Sequence, residues 1–125
     1  IRRPIPTIHL IFQPHQALRT ARLLAPFADS LLAADRIWIA DIFRAREGEP
    51  RPGDVTAAEL AHAVRVRGGK VELEHATEDI AARLAEAILR GELTGRDIIV
   101  TMGAGDIGEL GHAIRQRIGK HCQAG

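Results

Sequence analysis

Short apolar runs alternate with longer stretches of helical period along this chain, and that alternation constrains the fold more than any single motif. The runs lie at residues 8–12, 36–42, 70–74 and 97–102. They are rich in β-branched and other apolar residues and bounded by proline, glycine or polar residues, as strands are. Between and after them, apolar residues recur every three or four positions. Leu24, Phe27, Ala28 and Leu31 do so within 19–32, and Ala57, Leu60, Ala61 and Val64 follow Thr56. Ile80, Leu84, Ala87 and Ile88 do so within 78–90, and Ile107, Leu110, Ile114 and Ile118 within 106–118. Such stripes bury against a neighbouring layer. The order is β-α-β-α-β-α-β-α. It predicts an α/β, Rossmann-like fold: a mainly parallel sheet with helices on both faces, a three-layer sandwich joined by right-handed crossovers. With 125 residues and 46% apolar composition, residues 1–125 suffice for one domain with a real core. Residues 119–125 are expected to form a loose tail.

Local chemistry marks the boundaries. Pro14 ends the first strand, because proline cannot donate to a ladder. Thr56-Ala57-Ala58-Glu59 is a capping box, and Gly68-Gly69 is a helix stop. Thr77 stands where it could cap the third helix. Val71 and Leu73 alternate with polar residues, which predicts a strand near an edge. The run 97–102, Asp-Ile-Ile-Val-Thr-Met, reads as the most core-like. Pro26 conflicts with a continuous first helix; either that helix starts near Leu23 or it bends there. The loop 43–54 carries Gly48, Pro50, Pro52 and Gly53. At roughly twelve residues it exceeds the usual 2–6. It is either a substrate-facing loop or a solvated excursion.

Several function classes are excluded. With 17 basic and 16 acidic residues, the chain has no electrostatic footprint for nucleic acid. Phe12, Phe27, Trp38 and Phe43 show no interleaving with basic residues of the kind that stacks bases. Cys122 is the only cysteine, so no internal disulfide forms, as fits a reducing compartment. No apolar run approaches the roughly 20 residues of a membrane span, so no membrane partner is expected. No histidine stands in a metal-binding spacing, so no metal site is expected. Gly68-Gly69-Lys70 fails the ATP phosphate-loop pattern: Val71 follows the lysine, and Val64 stands where the first glycine belongs. The chain opens on Ile1 rather than Met, and a longer native product is expected.

Two loops fall at the carboxyl edge of the sheet, where ligands of open α/β folds bind. The first runs from Gln13 through Pro14 and His15 to Arg19-Thr20 and brings together an amide, an imidazole and a guanidinium. Arg19 suits bidentate capture of a carboxylate. A cation near a helix start is otherwise disfavoured by the dipole. The second, Gly103-Ala104-Gly105-Asp106-Ile107-Gly108, matches G-x-G-x-x-G. A dinucleotide site needs an acidic residue about 20 positions later on another strand. Residues 109–125 contain no such strand. The glycines therefore serve either close packing of helix on sheet or a helix N-terminus facing an anionic substrate.

Taken in order, Phe12-Gln13-Pro14-His15, Arg19-Thr20, Asp41-Ile42-Phe43 and Gly103-Ala104-Gly105-Asp106-Ile107 resemble the C-terminal domain of the Mur ligases, above all their alanine-adding branch. The resemblance covers nearly the whole chain. It implies a cytoplasmic enzyme of peptidoglycan synthesis that activates a carboxylate with ATP as an acyl phosphate, which an amine then attacks. In that branch L-alanine is joined to UDP-N-acetylmuramate. The resemblance further implies that this chain is the closing, amino-acid-binding domain. The UDP-sugar domain and the central domain that holds ATP and Mg2+ would be absent from it. The chain would bind neither cofactor alone, contain no catalytic residue and be inactive in isolation. By carry-over, His15, Gln16, Arg19, Gly103, Gly105 and Asp106 would form the substrate pocket. Arg19 would take the amino acid's carboxylate, His15 and Gly103 would shape the pocket, and Asp106 would lie at its margin. Gln16-Ala17 stand where that branch often carries Arg-Tyr, so one positive charge is missing. The family's Asp-x-x-x-His-His-Pro segment and the helix after it are also absent, which predicts an exposed apolar sheet face. The residues leave two other readings open: a free-standing Rossmann-like nucleotide-binding module, and an inactive truncated remnant.

Overall fold

Strands form where the apolar runs stand, and all of them are parallel. In the computed structural model, which describes residues 5–44, 46–73, 76–103 and 105–124, β1 (Thr7–Gln13), β2 (Arg36–Ile39), β3 (Val71–Leu73) and β4 (Asp97–Gly103) make one sheet. Their order is β3-β2-β1-β4. The chain steps outward from β1 to β3, then returns to lay β4 on the free side of β1. Ile11 is thus flanked by Trp38 and Thr101, and Gln13 lies opposite Gly103. Where strand order reverses, the connections after β1 and β4 leave to opposite faces and a crevice opens between them.

Strand alternation sends neighbouring side chains to opposite layers. Leu10, Phe12, Ile37, Ile39 and Val71 pack on α2 (Leu24–Leu31) and α3 (Ala57–Val66) through Ala28, Leu31, Leu60 and Val64. Ile11 and Trp38 face the other way. They meet α4 (Thr77–Leu89) and α5 (Leu110–Ala124) through Ile80, Leu84, Leu110 and Ile114. Ile11, Ile39, Leu60, Ile80 and Leu110 are fully buried. Each such side chain contributes roughly 1.5–3 kcal/mol of transfer free energy. The three-layer expectation is met.

Some elements differ from the sequence reading, each for a physical reason. The first helical region is two helices, α1 (Ala17–Arg22) and α2, broken at Leu23. Pro26 is the third residue of α2, where its missing N–H costs nothing because first-turn donors lack helical partners anyway. β2 stops at Ile39 rather than 42; the Ala40 amide still donates to the Phe12 carbonyl at 3.0 Å. Thr56 caps α3, accepting from the Glu59 amide at 3.2 Å. Thr77 caps nothing: Ala76 is the N-cap of α4, without a side-chain bond. A 3-10 turn, Gly105–Glu109, precedes α5, which continues to Ala124. Residues 119–124 are therefore helical rather than a loose tail, and Gly125 lies outside the described residues.

β4 is the largest correction. It is an edge strand, not the most core-like one. Ile98, Val100 and Met102 share the face of Leu10 and Phe12, yet are 45%, 38% and 52% exposed. The layer formed by α2 and α3 covers β1, β2 and β3 and leaves β4 bare on that side. An apolar sheet face is thus exposed among the described residues. β3 lies at the opposite edge, as its alternation predicts; Glu74, expected to end it, lies outside the described residues.

The turn into β4 carries a titratable tie. The Thr94 amide donates to Asp97 Oδ2 at 2.8 Å, and His9 Nε2 lies 2.8 Å from Asp97 Oδ1. The Thr94 bond foremost, then His9, holds the Asp97 carboxyl below its ordinary value. A carboxylate depressed on folding adds stability above its unfolded value, about 3.9, and that stability is lost as pH falls through the folded value. Denaturant titrations from pH 7 to pH 2 should show an acid limb that Asp97→Asn flattens below about pH 4. An unaltered acid limb in that variant would refute the role of this tie.

Candidate functional site

Two glycines bring the end of β4 against the end of β1. Gly103 has φ +138°, and a Cβ there would stand 2.3 Å from the Gln13 carbonyl oxygen. Gly105 has φ +76°, and its Cβ would meet the Phe43 ring at 2.6 Å and Gln13 Oε1 at 3.0 Å. The close approach lets one buried amide tie the connections after β2 and β4 to the end of β1. Gln13 Nε2 donates to the Asp41 carbonyl at 3.3 Å and to Asp106 Oδ1 at 3.2 Å. Gln13 Oε1 accepts from the Ile107 amide at 3.3 Å. Thr77, at the start of α4, donates its hydroxyl to the same Asp106 oxygen at 3.1 Å. One donor of the glycine turn is thus spent inside the protein, and Gly103 and Gly105 serve close packing of the strand ends.

The segment after β1 continues alongside the loop after β2. The Phe43 amide donates to the Pro14 carbonyl at 2.8 Å, and the Gln16 amide to the Phe43 carbonyl at 2.7 Å. His15 stacks on Phe43, with centroids 5.9 Å apart and planes inclined at 19°. Gln16 stands at φ +64°, ψ +135°, a conformation that disfavours any side chain. Gln16 is the N-cap of α1 but makes no side-chain capping bond. The cap comes from Glu47, whose carboxylate accepts from the Ala17 amide at 2.6 Å and the Leu18 amide at 3.1 Å. These bonds, Leu18 first, hold the Glu47 carboxyl below its ordinary value.

The loop 43–54 is largely exposed, yet it is held by its own side chains. Arg44 organises it, donating to the Gly48 carbonyl at 2.7 Å, the Glu49 carbonyl at 3.2 Å and Asp54 Oδ2 at 2.9 Å. Glu47 then ties it to α1. Ala45 lies outside the described residues.

The six expected site residues fall into two groups. His15, Gly103, Gly105 and Asp106 are gathered around Gln13 and Phe43. Gln16 and Arg19 line a separate cavity of about 490 Å3 with Leu18, Arg22, Leu23 and Glu47. The groups meet through the paired backbone of Gln16 and Phe43. The Arg19 side chain has no hydrogen-bond or ion-pair partner among the described residues. Gln13, Thr77, Glu47 and Arg22 complete the site but were not among the expected residues. Gln13 stands in the Phe-Gln-Pro-His motif. The Thr77 and Glu47 contacts span 29 and 30 positions and leave no local trace in sequence.

No protein-family model matches the chain. It is similar to UDP-N-acetylmuramate–L-alanine ligases. That of Desulfitobacterium hafniense is 36% identical over 107 residues, covering 86% of this chain and 22% of the relative. That of Thermosynechococcus vestitus is 34% identical over 107 residues, 86% of this chain and 21% of the relative. That of Mycolicibacterium gilvum is 38% identical over 104 residues, 83% of this chain and 20% of the relative. The chain thus spans about a fifth of the length of the relatives it matches. In fold it is similar to the UDP-N-acetylmuramate-alanine ligase of Thermotoga maritima, with TM-score 0.63, 17% identity, 93% of this chain covered and 21% of that one.

The crevice geometry sets opposite expectations for two substitutions. Gly103→Ala should lower stability by about 3 kcal/mol, because a side chain there meets backbone in a strained conformation. Gln16→Gly should raise it by about 1 kcal/mol, since relief of strain exceeds the extra entropy of glycine. Urea unfolding measures both; a neutral Gly103→Ala would show that the strands can part at this point.

Proposed function

We propose that this chain, which is related to the C-terminal domain of the Mur ligases, binds the incoming amino acid and closes the active site of an ATP-dependent ligase that joins L-alanine to UDP-N-acetylmuramate. The observation that carries the reading is Arg19, a guanidinium without a partner among the described residues, one turn beyond His15 and beside a cavity on the carboxyl edge of the sheet. Arg19 takes the amino acid's carboxylate in a bidentate pair. Arg22, one turn on, lines the same cavity and supplies the second positive charge that Gln16-Ala17 does not. His15, held flat by Phe43, and the Gly103–Gly105 turn shape the crevice side. Asp106, fixed by Gln13 and Thr77, lies at its margin.

The chain contributes position and charge rather than a reacting group, and catalysis is completed when domains close over the bound substrates. ATP and Mg2+ fit other domains of the ligase better than this one. Gly68-Gly69-Lys70 leads into the amino end of β3, away from the crevice. This reading implies a cytoplasmic enzyme of peptidoglycan biosynthesis. No helix of the described chain is long and apolar enough to cross a membrane.

In the complete ligase, Arg19→Ala should raise the KM for L-alanine about tenfold with less effect on kcat, the loss of one charged bond worth roughly 1.5 kcal/mol. Arg22→Ala should act in the same direction, more weakly. Steady-state kinetics with L-alanine varied reads both, and an unchanged KM in Arg19→Ala removes the carboxylate role. The isolated chain, given L-alanine, UDP-N-acetylmuramate, ATP and Mg2+, should release no phosphate.

A further inference from the structure

We propose that the amino edge of the sheet carries a second site: a cleft anchored by Arg36 and Lys70 that takes an oxyanion, phosphate or carboxylate. It lies at the opposite end of the sheet from the crevice and is independent of the ligase reading.

The cleft has a volume of about 600 Å3 and lies between the sheet and the C-terminal half of α4. Arg36 opens β2 and Lys70 immediately precedes β3. The Ile37 amide donates to the Lys70 carbonyl at 2.9 Å, so the two cationic residues are cross-strand neighbours. Like charges placed so repel. Neither side chain has a hydrogen-bond or ion-pair partner among the described residues. The other cations of the cleft are matched: Arg83 pairs with Glu72 at 2.7 Å, and Arg90 with Glu86. Asp97 is taken by His9 at 2.8 Å. Glu92, on the turn after α4, lines the cleft without a partner among the described residues. In the chain Glu92 leads towards β4, whereas Arg36 opens β2 and Lys70 precedes β3. The cleft thus carries two neighbouring cations that no carboxylate among the described residues pairs.

A cation at this edge commonly serves a helix C-terminus. That explanation does not hold for these two. The last carbonyls of α4 accept from the Arg90, Gly91, Glu92 and Leu93 amides, and that of Val64 in α3 from the Arg67 and Gly69 amides. Arg36 and Lys70 are surplus to those needs. Trp38, the only tryptophan, lines the cleft two residues beyond Arg36 on the same face of β2. The Arg83 guanidinium lies 4.7 Å from its ring centroid. Trp38 is therefore the optical reporter for a ligand in this cleft.

The test titrates the protein with inorganic phosphate at ionic strength held constant with chloride, following Trp38 emission and Tm. A saturable emission change and a rise in Tm that grows with ligand concentration are expected. The double variant Arg36→Gln/Lys70→Gln should weaken the apparent Kd at least tenfold, as loss of two charged contacts requires. Lys70→Arg should keep it, and so should Arg19→Gln at the far edge, which separates this site from the crevice. A parallel succinate titration assigns the ligand to phosphate or carboxylate chemistry by which of the two saturates first. A response no larger than that of chloride, or a phosphate curve unchanged in the double variant, overturns the proposal.

Discussion

The side-chain amide of Gln13 is buried at the end of β1, and a buried amide must find partners or cost several kcal/mol. It finds them in two separate connections: the Asp41 carbonyl after β2, and the Ile107 amide and Asp106 carboxylate after β4. Thr77, from the connection after β3, reaches the same carboxylate. The carboxyl edge thus holds its shape because the donors and acceptors of one residue can be met only when all these turns are in place. The glycines at 103 and 105 are the steric condition for that closure. In an apolar interior the same contacts would be interchangeable; here donor must meet acceptor, and the amide nitrogen and the Asp106 oxygen each serve two partners.

This ordering explains why the long loop after β2 can be part of a site at all. Polar loops rich in glycine and proline usually move. Arg44 draws the 43–54 loop around its own guanidinium, and Glu47 completes the α1 helix that lacks a cap of its own. The loop and the helix each supply what the other needs. Arg19 and Arg22 are therefore presented from a helix whose start is fixed by a residue far off in sequence.

The layered fold was legible because burial periodicity is a local signal: strands covered on both faces read as continuous apolar runs, and helices as stripes. Ile37 to Ile39 and the Leu60–Val64 face carried enough information by themselves. Position within the sheet was not legible in the same way. Asp97 to Met102 is as apolar as a central strand, yet lies at an edge, because what decides its burial is which helices other segments place above it. Thr77 looked like a cap by its neighbours and became a partner of Asp106 through a contact 29 positions away. In the site, His15, Gln16 and Arg19 were readable from one short stretch and the glycine turn from another. Glu47 and Thr77 were not, since nothing near them in sequence foretells what they touch. His9 was passed over as one histidine among several, although it is buried against Asp97.

β4 has a practical consequence for anyone handling this chain. Its outer side pairs with no other strand among the described residues, and its bare face offers Ile98, Val100 and Met102. An extended edge with apolar side chains is a template onto which another extended segment can add. Solubility should then depend on concentration more than on pH, and an additive that masks strand edges should do more than salt. The chain's shelf life is written into the one strand that its own helices leave uncovered.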